Sequence, residues 1–173
     1  MITGEKVIIR SILKSDEKDI FEWVNREELR RMTGTLYPIS EYEHEEWIRT
    51  IATSSKKKLF VILIKENLEK IGTIGLKNFD DVNKNVELYI SIGSNLPDHI
   101  GKGYGTDAIR TLVRYCFDNL NIHRVYLHVF ETNKRAIKAY ENAGFIKEGV
   151  LREHHFNNGR YEDVIVMGIT STI

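Results

Sequence analysis

Residues Gly101-Lys102-Gly103-Tyr104-Gly105-Thr106 carry glycine at three alternate positions, directly ahead of a segment with helical apolar spacing. Backbone N–H groups left unshielded by side chains can converge there on an anion at the positive end of a helix, and phosphate is the natural guest. The spacing is neither the G-x-x-x-x-G-K-[ST] of triphosphate-binding loops nor the G-x-G-x-x-G of dinucleotide folds, which argues against both. Other chemistry-bearing residues offer less. Cys116 is the only cysteine, which excludes an intramolecular disulfide and every Cys-pair metal site, and its place in an apolar stripe reads as core rather than nucleophile. His154-His155 with Asp163 suggests a metal only until strand alternation is applied, because alternation puts the two imidazoles on opposite faces. No metal is expected. Lys56-Lys57-Lys58 reads as a solvated run, with a phosphate contact as the alternative.

Composition bounds what such a loop can serve. The chain has 173 residues, 42% hydrophobic and 29% charged, the balance of one globular domain spanning residues 1–173. Twenty-five Lys and Arg against 25 Asp and Glu give a formal net charge of zero, so no global field draws the protein to nucleic acid or to an anionic membrane, and neither is an expected partner. No apolar run approaches a membrane span, and Met1–Glu5 lacks the basic and apolar regions of a signal peptide. A cytoplasmic location is expected.

The elements that must position the loop are legible from periodicity. Val7–Arg10 reads as a strand, and Ser15 as the cap of a helix whose stripe is Ile20, Phe21 and Val24. Ser40 and Glu43 have capping-box spacing ahead of Trp47, Ile48 and Ile51. Leu59–Ile64 and Ile71–Leu76 read as a hairpin around Glu66–Glu69. Val86–Ile92 alternates strictly, with Val86, Leu88, Ile90 and Ile92 on one face and Glu87, Tyr89 and Ser91 on the other. A loop holding Pro97 leads to the glycines, and Ala108, Ile109, Leu112, Val113, Cys116 and Leu120 mark the buried stripe of the helix that follows. Arg124–Phe130 is a further strand, Asn133 caps a short helix that Gly144 ends, and a closing hairpin turns at Asn157-Asn158-Gly159.

A second motif lies downstream, where Asn133, Ala136, Tyr140, Gly144 and Phe145 fit N-x-x-A-x-x-x-Y-x-x-x-G-F. With Gly103 and Gly105 at the glycines of Q/R-x-x-G-x-G/A, the chain resembles the GNAT superfamily of acetyl-CoA-dependent N-acetyltransferases. Motif agreement runs from about Val86 to Phe145. Arg10, Pro38-Ile39-Ser40 with Trp47, Gly149–Arg152 and Asn158-Gly159 make it most similar to the ribosomal-protein (RimJ/RimL-like) branch. One departure stands out: Ile100 occupies the Gln/Arg position, so a side-chain contact to the pyrophosphate is lost while the backbone donors remain. Lys102 or His99 could supply charge instead.

The resemblance implies a mixed α/β (α+β) fold, a twisted and mostly antiparallel sheet of about seven strands flanked by helices and splayed between the fourth and fifth. It implies acetyl-CoA as acetyl donor, bound by Ile90, Ser91 and Ile92, by Ile100, Gly101, Lys102, Gly103, Tyr104, Gly105 and Thr106, and by Asn133, Arg135 and Ala136. Tyr140 falls at the tyrosine that protonates the leaving sulfur, its alternative being a plain core residue. Amine attack on a thioester also needs a proton acceptor. Glu87 is the first candidate, with a salt-bridged sheet-face carboxylate as its alternative, and His128, which shares a strand face with Tyr126, is the second. The expected acceptor is a primary amine, a protein N-terminus first, with a polyamine such as spermidine, an amino sugar or an antibiotic as alternatives. A non-catalytic acyl-CoA sensor is the reading from a different class. Monomer and homodimer both remain open.

Overall fold

The computed structural model describes residues 1–93 and 99–172, so the loop holding Pro97 lies outside the described residues. Two short strands open the chain, β1 (Ile2–Thr3) and β2 (Val7–Ser11), followed by three helices, α1 (Glu17–Asn25), α2 (Glu27–Thr33) and α3 (Glu41–Thr53). Then come β3 (Lys58–Ile64), β4 (Lys70–Asp80), β5 (Asn85–Ile92), α4 (Tyr104–Asn119), β6 (Arg124–Phe130), α5 (Lys134–Asn142), β7 (Ile146–Asn157) and β8 (Arg160–Thr170). The eight strands form one sheet in the order β1-β2-β3-β4-β5-β6-β8-β7. The expected count of about seven lacks β1, whose two residues pair with Ile8 and Ile9 and are too few to show a periodicity.

Every strand pair is antiparallel except β5–β6, whose crossover through α4 makes it parallel. That pairing covers only Asn85–Glu87 against Arg124–Tyr126. Beyond it β5 stays with β4 as far as Ile92↔Gly72, while β6 follows β8 to Phe130↔Val164. The sheet therefore opens at Glu87 and Tyr126, and this is the expected splay.

Apolar clusters cover both faces. On one, Ala108, Ile109, Leu112, Val113 and Cys116 of α4 and Tyr140 of α5 pack on Ile62, Ile64, Ile74, Val86, Leu88, Val125 and Leu127. On the other, Ile20, Trp23, Leu29 and Ile48 from the first three helices cover Val61 and Leu63. The continuous run in β3 follows from this, since a strand covered on both sides has no polar face.

Local chemistry at the element ends largely matches expectation. Ser40 and Glu43 form the reciprocal capping box, with Glu43 N–H to Ser40 Oγ at 3.2 Å and Ser40 N–H to Glu43 Oε2 at 2.8 Å. Asn158 and Gly159 take φ of +51° and +78°, the left-handed pair of a two-residue hairpin. Ser15 does not cap α1. A short 3-10 turn, Lys14–Asp16, intervenes, and Asp16 accepts the Leu13 N–H at 2.8 Å and an Arg10 N–H at 2.7 Å. Asp16 is thus the N-cap of α1 by position while its carboxylate serves the turn and Arg10 rather than the helix.

Candidate active site

Gly101 and Gly103 adopt φ of +73° and +80°, which side-chain-bearing residues rarely take, and Gly103 is the N-cap of α4. The first intrahelical bond runs from the Asp107 N–H to Gly103 O at 3.0 Å. The N–H groups of Tyr104, Gly105 and Thr106 therefore have no acceptor within the helix and point out of its start. Asp107 would oppose an anion there, but its buried carboxylate turns away. It accepts from the N–H groups of Glu5, Lys6 and Val7 at 3.3, 2.8 and 3.0 Å. The same turn brings Lys6 to the loop, where its Nζ donates to Lys102 O at 2.8 Å. Sequence reasoning missed Lys6, because nothing in the spacing links residue 6 to residue 102. Lys102 is exposed at the loop. Ile100 is 45% exposed and makes no polar substitute for Gln or Arg. His99 is buried with Nε2 at 3.2 Å from Glu69 Oε2 and its ring edge-on to Tyr104, so it is committed to the protein.

The loop connects directly to the splay. A Cβ built on Gly105 would sit 3.9 Å from Ile92 Cγ1, so the first turn of α4 lies beside the end of β5. Gly93 N–H bonds Ile71 O on the β4 side. By strand alternation, the N–H groups of Ile90 and Ile92 then face the opening toward β6, and that of Ser91 faces β4. Of the three expected backbone contacts, Ser91 is corrected: its main chain belongs to the β4–β5 ladder.

Tyr140 closes this face. It is 6% exposed, its ring centroid lies 6.0 Å from that of Phe145, and it shares an apolar cluster with Ile90 and Ile92. Its position is set by the ends of α5. Asn133 caps the start through the Ala136 N–H at 3.2 Å, and Phe145 N–H to Tyr140 O with Gly144 N–H to Glu141 O forms a Schellman motif at the other end. Burial pushes the Tyr140 phenol up to about 12, so it is protonated throughout the neutral range. Ala136 is half-buried at the start of the helix and Arg135 is exposed beside it.

The opposite face holds the polar groups. Glu87 is 8% exposed and fully engaged: Oε1 receives His128 Nδ1 at 2.8 Å with Lys77 Nζ at 3.9 Å, and Oε2 receives Asn78 Nδ2 at 2.7 Å. Both candidate proton acceptors thus meet in one hydrogen bond, and it bridges the point where the sheet opens. Tyr126 packs edge-on to His128, and burial followed by the nearby Glu87 charge raises its phenol. Donor-side and acceptor-side groups therefore approach the same gap from opposite faces.

The remaining candidates are placed elsewhere. Cys116 is buried in the core, which pushes its thiol up to about 12. Lys56 and Lys57 are exposed, their N–H groups held by Ser54 Oγ. His155 stacks flat on Phe130 at 3.9 Å while His154 is exposed, and no cluster of metal-ligating side chains occurs among the described residues. No helix among them is long and apolar enough to cross a membrane.

The splayed sheet with the start of α4 beside the end of β5 is the frame on which residues 6–146 match the family model for the acetyltransferase (GNAT) domain. The chain belongs to this family and is an acetyl-CoA-dependent N-acetyltransferase. It is similar to the spermidine N(1)-acetyltransferase of Vibrio cholerae serotype O1, 36% identical over 120 residues that cover 69% of this chain and 66% of that enzyme. The spermidine N(1)-acetyltransferase of Escherichia coli K12 is 37% identical over 101 residues, 58% of this chain and 53% of its own. Among solved structures, the spermidine N-acetyltransferase from Vibrio cholerae in complex with CoA and spermine superposes with a TM-score of 0.85 at 30% identity, covering 96% of each chain. These relatives are named for spermidine, not for ribosomal proteins, and they support the GNAT family without the narrower RimJ/RimL-like branch.

Proposed function

We propose that the chain transfers the acetyl group of acetyl-CoA directly to a primary amine of a small polycationic molecule of the polyamine class. The observation that carries the transfer is the gap beyond Glu87 and Tyr126, with free N–H groups of Ile90 and Ile92 on its edge and the unpaired first turn of α4 beside it. The donor set suits a pantetheine pyrophosphate: Tyr104, Gly105 and Thr106 supply N–H groups, and Lys6 and Lys102 supply charge. The likeness to two spermidine acetyltransferases favours the small-molecule acceptor over a protein N-terminus.

When bound, acetyl-CoA supplies an activated acetyl thioester. The Ile90 or Ile92 N–H polarises its carbonyl from the edge of β5. Tyr140 stabilises the departing sulfur. A phenol near 12 is a weak acid for a thiolate whose conjugate acid lies at roughly 8.5, so the phenol acts through a short hydrogen bond as charge builds on sulfur. The polar cluster around Glu87 receives the ammonium on the other face.

Release of CoA thiol with a panel of amines tests this reading. Spermidine or spermine is expected to support turnover well above an N-terminal peptide. Turnover with the peptide alone restores the protein acceptor, and acetyl-CoA binding without turnover on any amine leaves an acyl-CoA sensor.

A further inference from the structure

We propose that His128 is the base that takes the proton of the acceptor amine, and that Glu87 is the residue that positions it. This rests on the acetyl-transfer reading and assigns the one role in it that the sequence left open between two residues.

Three observations separate them. The Glu87 carboxylate is 8% exposed and each of its oxygens is already engaged, by His128 and Lys77 on one and Asn78 on the other. The His128 side chain is 40% exposed, two residues beyond Tyr126, the last β6 residue paired with β5. Finally, an ionised carboxylate only accepts hydrogen bonds, so at 2.8 Å the proton of this contact sits on Nδ1 and the lone pair of the neutral ring is on Nε2. Glu87 thereby selects the tautomer whose basic nitrogen is the one not tied to the carboxylate.

The step balances. The ammonium proton passes to Nε2, giving imidazolium, and the N–H electron pair stays on the amine as its lone pair. That pair forms the C–N bond to the acetyl carbon as the C–S bond breaks, and the sulfur takes a proton from Tyr140. The acylated nitrogen then gives up its second proton to Tyr140, directly or through water, and His128 returns its own to solvent.

The test uses the full chain with an amine verified on the wild type. His128→Asn is expected to lower kcat/KM for the amine by about 100-fold or more at pH 7 with acetyl-CoA affinity unchanged. The deficit should shrink as pH rises past about 10, where the amine arrives already deprotonated. Glu87→Gln is expected to be milder, and adding it to His128→Asn should cost no more than His128→Asn alone. Imidazole NMR supplies a readout independent of turnover: the Nδ1–H tautomer of His128 should dominate in the wild type and lose that dominance in Glu87→Gln. The opposite ranking, with Glu87→Gln crippled and His128→Asn near wild type, would overturn the proposal, as would additive losses or a tautomer balance indifferent to Glu87. If the wild type releases no thiol with any amine, the acetyl-transfer reading fails first and this assignment falls with it.

Discussion

At the scale of single residues, Tyr140 joins two demands that usually conflict. Its ring is a core residue, as the helical stripe with Ala136 and Ile137 implies, and its hydroxyl is the acid proposed for the leaving sulfur. Burial makes both possible by holding the phenol neutral up to about 12. Tyr140→Phe deletes the hydroxyl and almost no packing, so acetyl-CoA affinity by calorimetry should be unchanged while kcat falls about 10- to 1,000-fold. The sign of the pH effect follows from the raised phenol: the wild type should show no loss of rate from Tyr140 ionisation below about pH 11. Unchanged kcat in Tyr140→Phe would reduce the residue to packing.

At the scale of elements, the start of α4 concentrates the donor chemistry, and its competence depends on an element nearly a hundred residues away. Asp107 turns back to cap the chain between β1 and β2, which removes a negative charge from the first turn and delivers Lys6 to Lys102. Gly103 makes the tight entry possible, with φ of +80° where proline is locked near −65°. Gly103→Pro is therefore expected to weaken acetyl-CoA binding at least about tenfold, or about 1.4 kcal/mol, measured by calorimetry. Equal affinity in the two proteins would remove the loop from the site. Rate measurements on Lys6→Met would separate its charge from the backbone contribution, since the substitution keeps an unbranched stem.

At the scale of the whole molecule, stability carries the imprint of the buried titratable groups. Burial pushes Tyr89, Cys116 and Tyr140 each up to about 12, above their ordinary 10, 9 and 10. The unfolded chain releases these protons at the lower values, so the stabilisation is complete below about pH 9 and is lost as pH climbs toward 12. Urea midpoints should fall across that window, and Tyr89→Phe should flatten part of the slope. At the acid end Asp16 behaves in the opposite sense. Burial opposes its charge, but the Arg10 and Leu13 hydrogen bonds and the nearby Lys70 outweigh burial and hold the carboxyl below its ordinary 3.8. Its contribution is present above that value and disappears as pH falls through the lowered one. Asp16→Ala leaves Arg10 and Lys70 without their 1%-exposed partner and should cost about 3 kcal/mol at pH 7, with the gap to wild type closing in acid.

Local regularities written within a few residues were legible from the chain itself: the strict alternation of Val86–Ile92, the Ser40–Glu43 cap, the Asn158-Gly159 turn, the glycine entry to α4, and the spacing that puts Tyr140 on the inner face of α5. Each depends on backbone geometry that repeats over two to four residues, so sequence distance is spatial distance. Only the tertiary structure decided which residues meet across the sheet. The Glu87–His128 bond, the Asn78 contact, the arrival of Lys6 at Lys102 and the turning of Ser91 toward β4 all join segments whose separation carries no periodic signal. The opening of the sheet belongs to the same class. It arises because β5 is held by β4 and β6 by β8 along diverging paths, a competition between long-range ladders that no single strand encodes.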